Sequence, residues 1–79
     1  MQVSERFPEY FAVPIIYLMI EGERVWKAVA RPKTARQLLA RLDLDEEEAL
    51  VGRDGNLLTP DRRIWPGDRI WVRPVGSRG

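Results

Sequence analysis

The sequence predicts an α+β fold, a mixed sheet of four to five strands covered by one main helix. Three observations carry this expectation. Ile15-Ile16-Tyr17-Leu18-Met19-Ile20 is β-branched, aromatic and almost wholly apolar, as a strand buried in the middle of a sheet requires. Ala35, Leu38, Leu39 and Leu42 fall at i, i+3, i+4 and i+7, a single apolar stripe that lets a helix lie on that sheet. Arg69-Ile70-Trp71-Val72-Arg73 alternates polar and apolar behind the turn signal Pro66-Gly67-Asp68, so Ile70 and Val72 point to the core and Arg69, Trp71 and Arg73 away from it.

Taken in chain order, residues 1–13 hold Phe7, Pro8, Tyr10 and Phe11 without a clean period. They read as an N-terminal tail, disordered or loosely docked. After the strand at residues 15–20, Glu21-Gly22-Glu23 suits a hairpin turn, because glycine adopts positive φ at little cost. Val25 to Ala30 then forms the second strand, with Trp26, Ala28 and Ala30 on one face and Val25, Lys27 and Val29 on the other. Trp26, on a strand expected in the middle of the sheet, is assigned to the core.

Pro32 ends that strand, and Thr34 with Gln37 three residues later matches a capping box. Beyond the helix, Asp43 to Glu48 is an acidic turn. Ala49-Leu50-Val51 resumes the extended pattern before the Asp54-Gly55-Asn56 turn, and Leu57-Leu58-Thr59-Pro60 supports a short edge strand at most. Gly52, Gly55 and Gly67 all read as turn glycines, and Trp65 as a pin for the turn at Pro66. The order strand, strand, helix, strand, short strand, strand fits the β-grasp arrangement over residues 14–75, with a small barrel as the alternative. Residues 76–79 form a flexible C-terminal tail.

Length and composition exclude several functions. At 79 residues a chain buries only roughly 60% of its unfolded surface, enough for one simple core. There is no His and no Cys, so the usual general base near neutral pH, the thiolate nucleophile and Cys-type zinc sites are missing. The chain is therefore not expected to be an enzyme, and no cofactor is assigned. The apolar run Ala12 to Ile20 is broken by Pro14 and falls short of the roughly 20 residues of a membrane span. Met1 to Arg6 lacks the basic start of a secretory signal. The expectation is a cytoplasmic protein with no membrane partner.

Three groups of residues invite a functional reading. The carboxylates of Asp43 to Glu48 resemble a calcium loop only superficially, since the sixth position from Asp43 is Glu48 rather than Gly and the twelfth is Asp54 rather than Glu. They read as a solvated acidic turn, and no metal site is assigned. Residues 52–79 hold six Arg against three Asp. Arg53, Arg62, Arg63, Arg69, Arg73 and Arg78, interleaved with Trp65 and Trp71, suit an acidic protein partner or an RNA, or form a solvated face. Among the tryptophans, Trp71 is expected to be the most exposed. Gly76-Ser77-Arg78-Gly79 is short, polar and small enough to thread an enzyme channel, or simply to fray.

From Thr34 onward the chain resembles the ubiquitin-like sulfur carriers, the ThiS and MoaD type proteins and their tRNA-thiolation relatives. The resemblance rests on Thr34-Ala35-Arg36-Gln37-Leu38-Leu39, Leu42-Asp43-Leu44-Asp45, Ala49-Leu50-Val51-Gly52-Arg53-Asp54-Gly55, Leu58-Thr59-Pro60-Asp61 and Pro66-Gly67-Asp68-Arg69-Ile70. It implies a carrier whose C-terminal glycine carboxylate is adenylated by a ThiF-like adenylyltransferase using ATP, converted to a thiocarboxylate, and drawn on by a sulfur-acceptor enzyme for thiamine, molybdopterin or tRNA thiolation. Gly79 would carry the sulfur, Gly76, Ser77 and Arg78 would form the mobile arm, and Arg69, Trp71 and Arg73 would dock the activating enzyme. The family ends in Gly-Gly, whereas here Arg78 precedes Gly79, which calls for an acidic wall or a wider slot in the cognate channel. The rival expectation is a β-grasp module of TGS or S4 type that contacts RNA or a protein without carrier chemistry.

Overall fold

The structure, a computed structural model, describes residues 13–75. The tail expected over residues 1–13 lies, apart from Val13, outside the described residues, as do Gly76, Ser77, Arg78 and Gly79. Among the described residues, five strands and one helix follow in the order β1 (Ile15–Ile20), β2 (Lys27–Ala30), α1 (Ala35–Arg41), β3 (Ala49–Arg53), β4 (Asn56–Leu58) and β5 (Arg69–Pro74). The sheet order is β2-β1-β5-β3-β4. β1 and β5 run parallel at its centre and every other neighbouring pair is antiparallel. This is a small α+β domain of β-grasp-like architecture.

The helix starts where the sequence places it. The Thr34 hydroxyl accepts from the Gln37 N–H at 3.2 Å, which satisfies one amide left free by the first turn, and the Gln37 side chain accepts in turn from the N–H of Lys33, the residue before the cap, at 2.8 Å. At its end, Asp43 takes a left-handed φ of 63°. Its N–H donates to Ala40 O, and that of Leu44 reaches back to Leu39 O, a Schellman closure that tucks Leu44 against the core. The stripe Ala35, Leu38 and Leu39 is buried on the sheet, with Leu42 partly so.

Beneath α1, the inward residues of each strand form one aliphatic cluster. Ile16, Ile64, Ile70 and Val72 are fully buried, and Leu18, Ala49, Val51 and Leu58 nearly so. Ile70 and Val72 thus occupy the core side of β5, as the alternation requires. Burying one such side chain contributes about 1.5–3 kcal/mol.

Three expectations are corrected. The second strand begins at Lys27, not Val25. Glu23 N–H closes on Ile20 O with Gly22 at φ 101°, a type II turn whose twist splays the strands instead of continuing them into a tight hairpin. β2 is also an outer strand, so Trp26, just before it, is 40% exposed and not part of the core. Gly52 is not a turn glycine: it sits inside β3, opposite Trp71 on β5. By contrast, Asp54 and Gly55 both take positive φ, the two-residue Asp-Gly hairpin turn between β3 and β4.

Candidate docking face

The face of the sheet opposite α1 carries no second layer among the described residues, and β5 crosses its middle. Backbone alternation directs Arg69, Trp71 and Arg73 to this open face. The register sets Tyr17 and Met19 of β1 beside Arg69 and Trp71, and Leu50 and Gly52 of β3 beside Arg73 and Trp71. Leu57 of β4 extends the row past Gly52 and is 60% exposed. The result is an apolar and aromatic surface crossed by two arginines. Patches of this composition mark interaction sites on small proteins.

The arginines are held against aromatic rings. The Arg69 guanidinium lies 5.5 Å from the centroid of the Trp26 ring, and that of Arg73 lies 5.7 Å from Trp71. Arg73 also donates through Nε to Glu21 at 2.7 Å, whereas Arg69 has no carboxylate partner among the described residues. At exposed sites a cation over an aromatic ring contributes about 0.5–1 kcal/mol. That is enough to bias the side-chain positions while leaving Arg69 open to an anionic partner, whereas Arg73 meets one only by exchanging its exposed pair with Glu21. Met19, Glu21, Gly22, Arg24, Trp71 and Arg73 line a shallow open depression at the end of the sheet from which β5 departs.

The structure reverses the expected ranking of the tryptophans. Trp71 is the least exposed of the three, while Trp65 is 51% exposed. The cause is Gly52. A Cβ built there would fall inside the Trp71 indole, so the ring lies flat on the glycine backbone. Trp71 is therefore a fixed platform. Trp65 stands on the turn before β5 with Arg63 5.0 Å from its ring centroid.

The basic residues of the last third do not form one surface. Arg69 and Arg73 share the open face, but Arg53 points to the helix side and pairs with Asp68 at 2.8 Å. Asp68 accepts at the same time from the Trp65 N–H at 2.9 Å, and Gly67 takes φ 85° in the turn. This partly buried network holds the Pro66-Gly67 turn that launches β5. It positions the face without belonging to it.

Among the described residues no group of three or more acidic, His or Cys side chains is placed to hold a metal ion. No helix among them is long and apolar enough to cross a membrane. The chain matches no protein-family model and no curated protein sequence.

Proposed function

We propose that this chain is a ubiquitin-like sulfur carrier, with the open face as the docking surface for an adenylating partner and Gly79 as the acceptor of sulfur. The observation that supports it most is the position of β5. This central strand carries Arg69, Trp71 and Arg73 on an Arg- and Trp-rich face that has no second layer among the described residues, and it is the last element before residues 76–79 in the sequence. A partner gripping that face would hold the segment after Val75 at a fixed distance from its own active site. The chain then needs no catalytic group of its own. Carboxylate oxygen is a poor leaving group, so the partner first joins it to AMP with release of pyrophosphate. A persulfide sulfur then attacks the acyl carbon, AMP leaves, and thiol reduction of the S–S bond frees the thiocarboxylate.

A second reading is favoured by one feature of the same face, the grouping of Tyr17, Trp26 and Trp71 with Arg69 and Arg73. Exposed aromatic rings interleaved with cations on a sheet stack unpaired bases and bind phosphates. On this reading the chain is a β-grasp module of TGS or S4 type contacting RNA or a protein partner.

Intact mass spectrometry separates the two. The protein is incubated with ATP, a sulfur donor and a ThiF-like adenylyltransferase, with Arg78→Gly in parallel. The carrier reading expects a mass gain equal to replacement of one oxygen by sulfur, and it requires Gly79 to bear the free carboxylate, which the starting mass checks. No gain in either form, together with a tRNA mobility shift that fades as salt rises, would transfer the function to the RNA-binding module.

A further inference from the structure

A second surface lies along the outer edge of β2 and adjoins the open face through Trp26. Residues 24–42 hold Arg24, Lys27, Arg31, Lys33, Arg36 and Arg41 and no Asp or Glu. β2 is the last strand on its side of the sheet, so this cationic run borders a sheet edge.

The backbone orientation at that edge follows from the ladder. Arg31 N–H donates to Pro14 O at 3.0 Å, and the register opposes Val29 to Ile16 and Lys27 to Leu18. Bonded and non-bonded pairs alternate in an antiparallel ladder. Residues 27, 29 and 31 therefore turn their amides and carbonyls toward β1, and Ala28 and Ala30 turn theirs outward. Two sets of contacts agree. Arg41 reaches from the end of α1 to donate to the Ala30 carbonyl at 2.6 Å. On the far side of β1, the Tyr17 N–H and the Ile15 carbonyl bond to Asp68 and Gly67, as residues opposite Ala28 and Ala30 must. The Ala28 N–H, the Ala28 carbonyl and the Ala30 N–H are left at the edge, paired with no described residue.

The side chains beside these groups differ on the two faces. Trp26, Ala28 and Ala30 make a low apolar shelf on the open face, while Lys27 and Arg41 stand on the helix side. Lys27 shares with Glu23 an exposed ion pair at 3.3 Å, a weak contact that an incoming carboxylate can displace. A second copy of the chain is a poor occupant. Antiparallel pairing that sets Ala28 of one copy opposite Ala30 of the other would place Lys27 against Arg31 at both ends, and like charges across strands oppose pairing. RNA would satisfy the cations but has no strand backbone to use the edge amides.

We propose that the β2 edge binds an extended acidic peptide by strand addition, its acidic side chains alternating with apolar ones. Its backbone pairs with Ala28 and Ala30, its apolar side chains rest on the Trp26 shelf, and its carboxylates meet Lys27 and Arg41. The test is amide hydrogen exchange with a synthetic peptide about eight residues long that alternates glutamate and valine. A peptide of the same composition with its glutamates in one block, and an oligouridylate, serve as controls.

Addition of the alternating peptide is expected to slow exchange at Ala28 and Ala30, with affinity falling as salt rises. Ala28→Pro removes an outward amide without touching the β1 ladder, a position where an edge strand accepts proline. It is expected to weaken binding about tenfold, the effect of losing edge hydrogen bonds. Lys27→Glu with Arg41→Glu, which keeps both outward amides and frees only the Ala30 carbonyl, is expected to weaken it at least as much, and it carries the test if the proline variant does not fold. Unchanged exchange at both amides, equal binding of the blocked peptide, equal protection by the oligouridylate, or self-association through this edge in sedimentation would each overturn the proposal.

Discussion

The two faces of the sheet are made by the same strands yet obey different rules. On β5, Ile70 and Val72 are sealed under α1 among aliphatic neighbours, while Arg69, Trp71 and Arg73, one residue away in each case, carry charge and aromatic surface into the open. The covered face holds no buried polar or charged residue among the described ones. The open face keeps large apolar groups exposed, Leu50, Leu57, Tyr17 and Trp26 among them. A domain this small has little stability to spare. Apolar surface left uncovered by the described residues on one face, beside a core completed on the other, is surface that docking can use and that the core does not require.

The contrast is broken most strongly on β5 itself. Ile70→Ala should destabilise the domain by about 2–5 kcal/mol through the cavity it leaves, whereas the adjacent Arg69→Ala should change stability by no more than about 0.5–1 kcal/mol. Urea unfolding of the two variants checks this pair, and similar losses would mean that the faces are not energetically distinct.

A smaller effect sharpens the claim that Trp71 is a fixed platform. Gly52→Ala should cost about 1–3 kcal/mol, because the new methyl group displaces the indole. Most of that cost should vanish in a Trp71→Ala background. A double-mutant cycle measures the coupling, and full additivity would show that the ring does not rest on Gly52.

Next in size is the helix that closes the covered face. Thr34→Ala removes the hydroxyl that accepts from Gln37 and should cost about 1 kcal/mol. Thermal unfolding reads it, with docking on the open face unaffected.

The smallest effect lies in acid. Asp61 is fully exposed, and its carboxyl is held below its ordinary value of 3.8, first by the hydrogen bond from Thr59, then by its own backbone amide and the nearby Arg36 and Arg62. A depressed carboxyl contributes stability above its unfolded value and loses it as pH falls through the folded one. Asp61→Asn should therefore reduce a slight advantage that is present at neutral pH and absent well below pH 3.8. Melting curves across that window, compared with the parent chain, show whether the difference disappears in acid.

Much of the fold was legible because its signals are local. The apolar run at Ile15–Ile20 and the Thr34/Gln37 box each lie within a few residues, and both elements begin where expected. The alternation of residues 69–73 assigned both faces of β5 correctly. The surroundings of that strand were not legible: Tyr17 and Met19 reach it through a parallel pairing that spans some fifty positions, and no local pattern reports such a partner. Trp26 misled because its run looks like a central strand, while edge position is a property of the whole sheet. Trp71 misled because its exposure depends on a glycine in another strand. The one local hint was that Gly52 interrupts an otherwise extended pattern, a recurrent mark of close approach. The cations of residues 24–42 were hidden in the overall charge by Asp43 to Glu48 immediately after them.

The carrier proposal joins the open face to the chain end, and pyrophosphate exchange tests that joint most directly. A ThiF-like adenylyltransferase is mixed with ATP, labelled pyrophosphate and the protein, and exchange is compared for the parent chain, for Arg69→Ala with Arg73→Ala, and for Arg62→Ala with Arg63→Ala. The account predicts exchange that depends on the carrier, falls about tenfold or more on loss of the two open-face arginines, and is unchanged when the other two are removed. Equal exchange by all three proteins, or none by the parent chain, would contradict it.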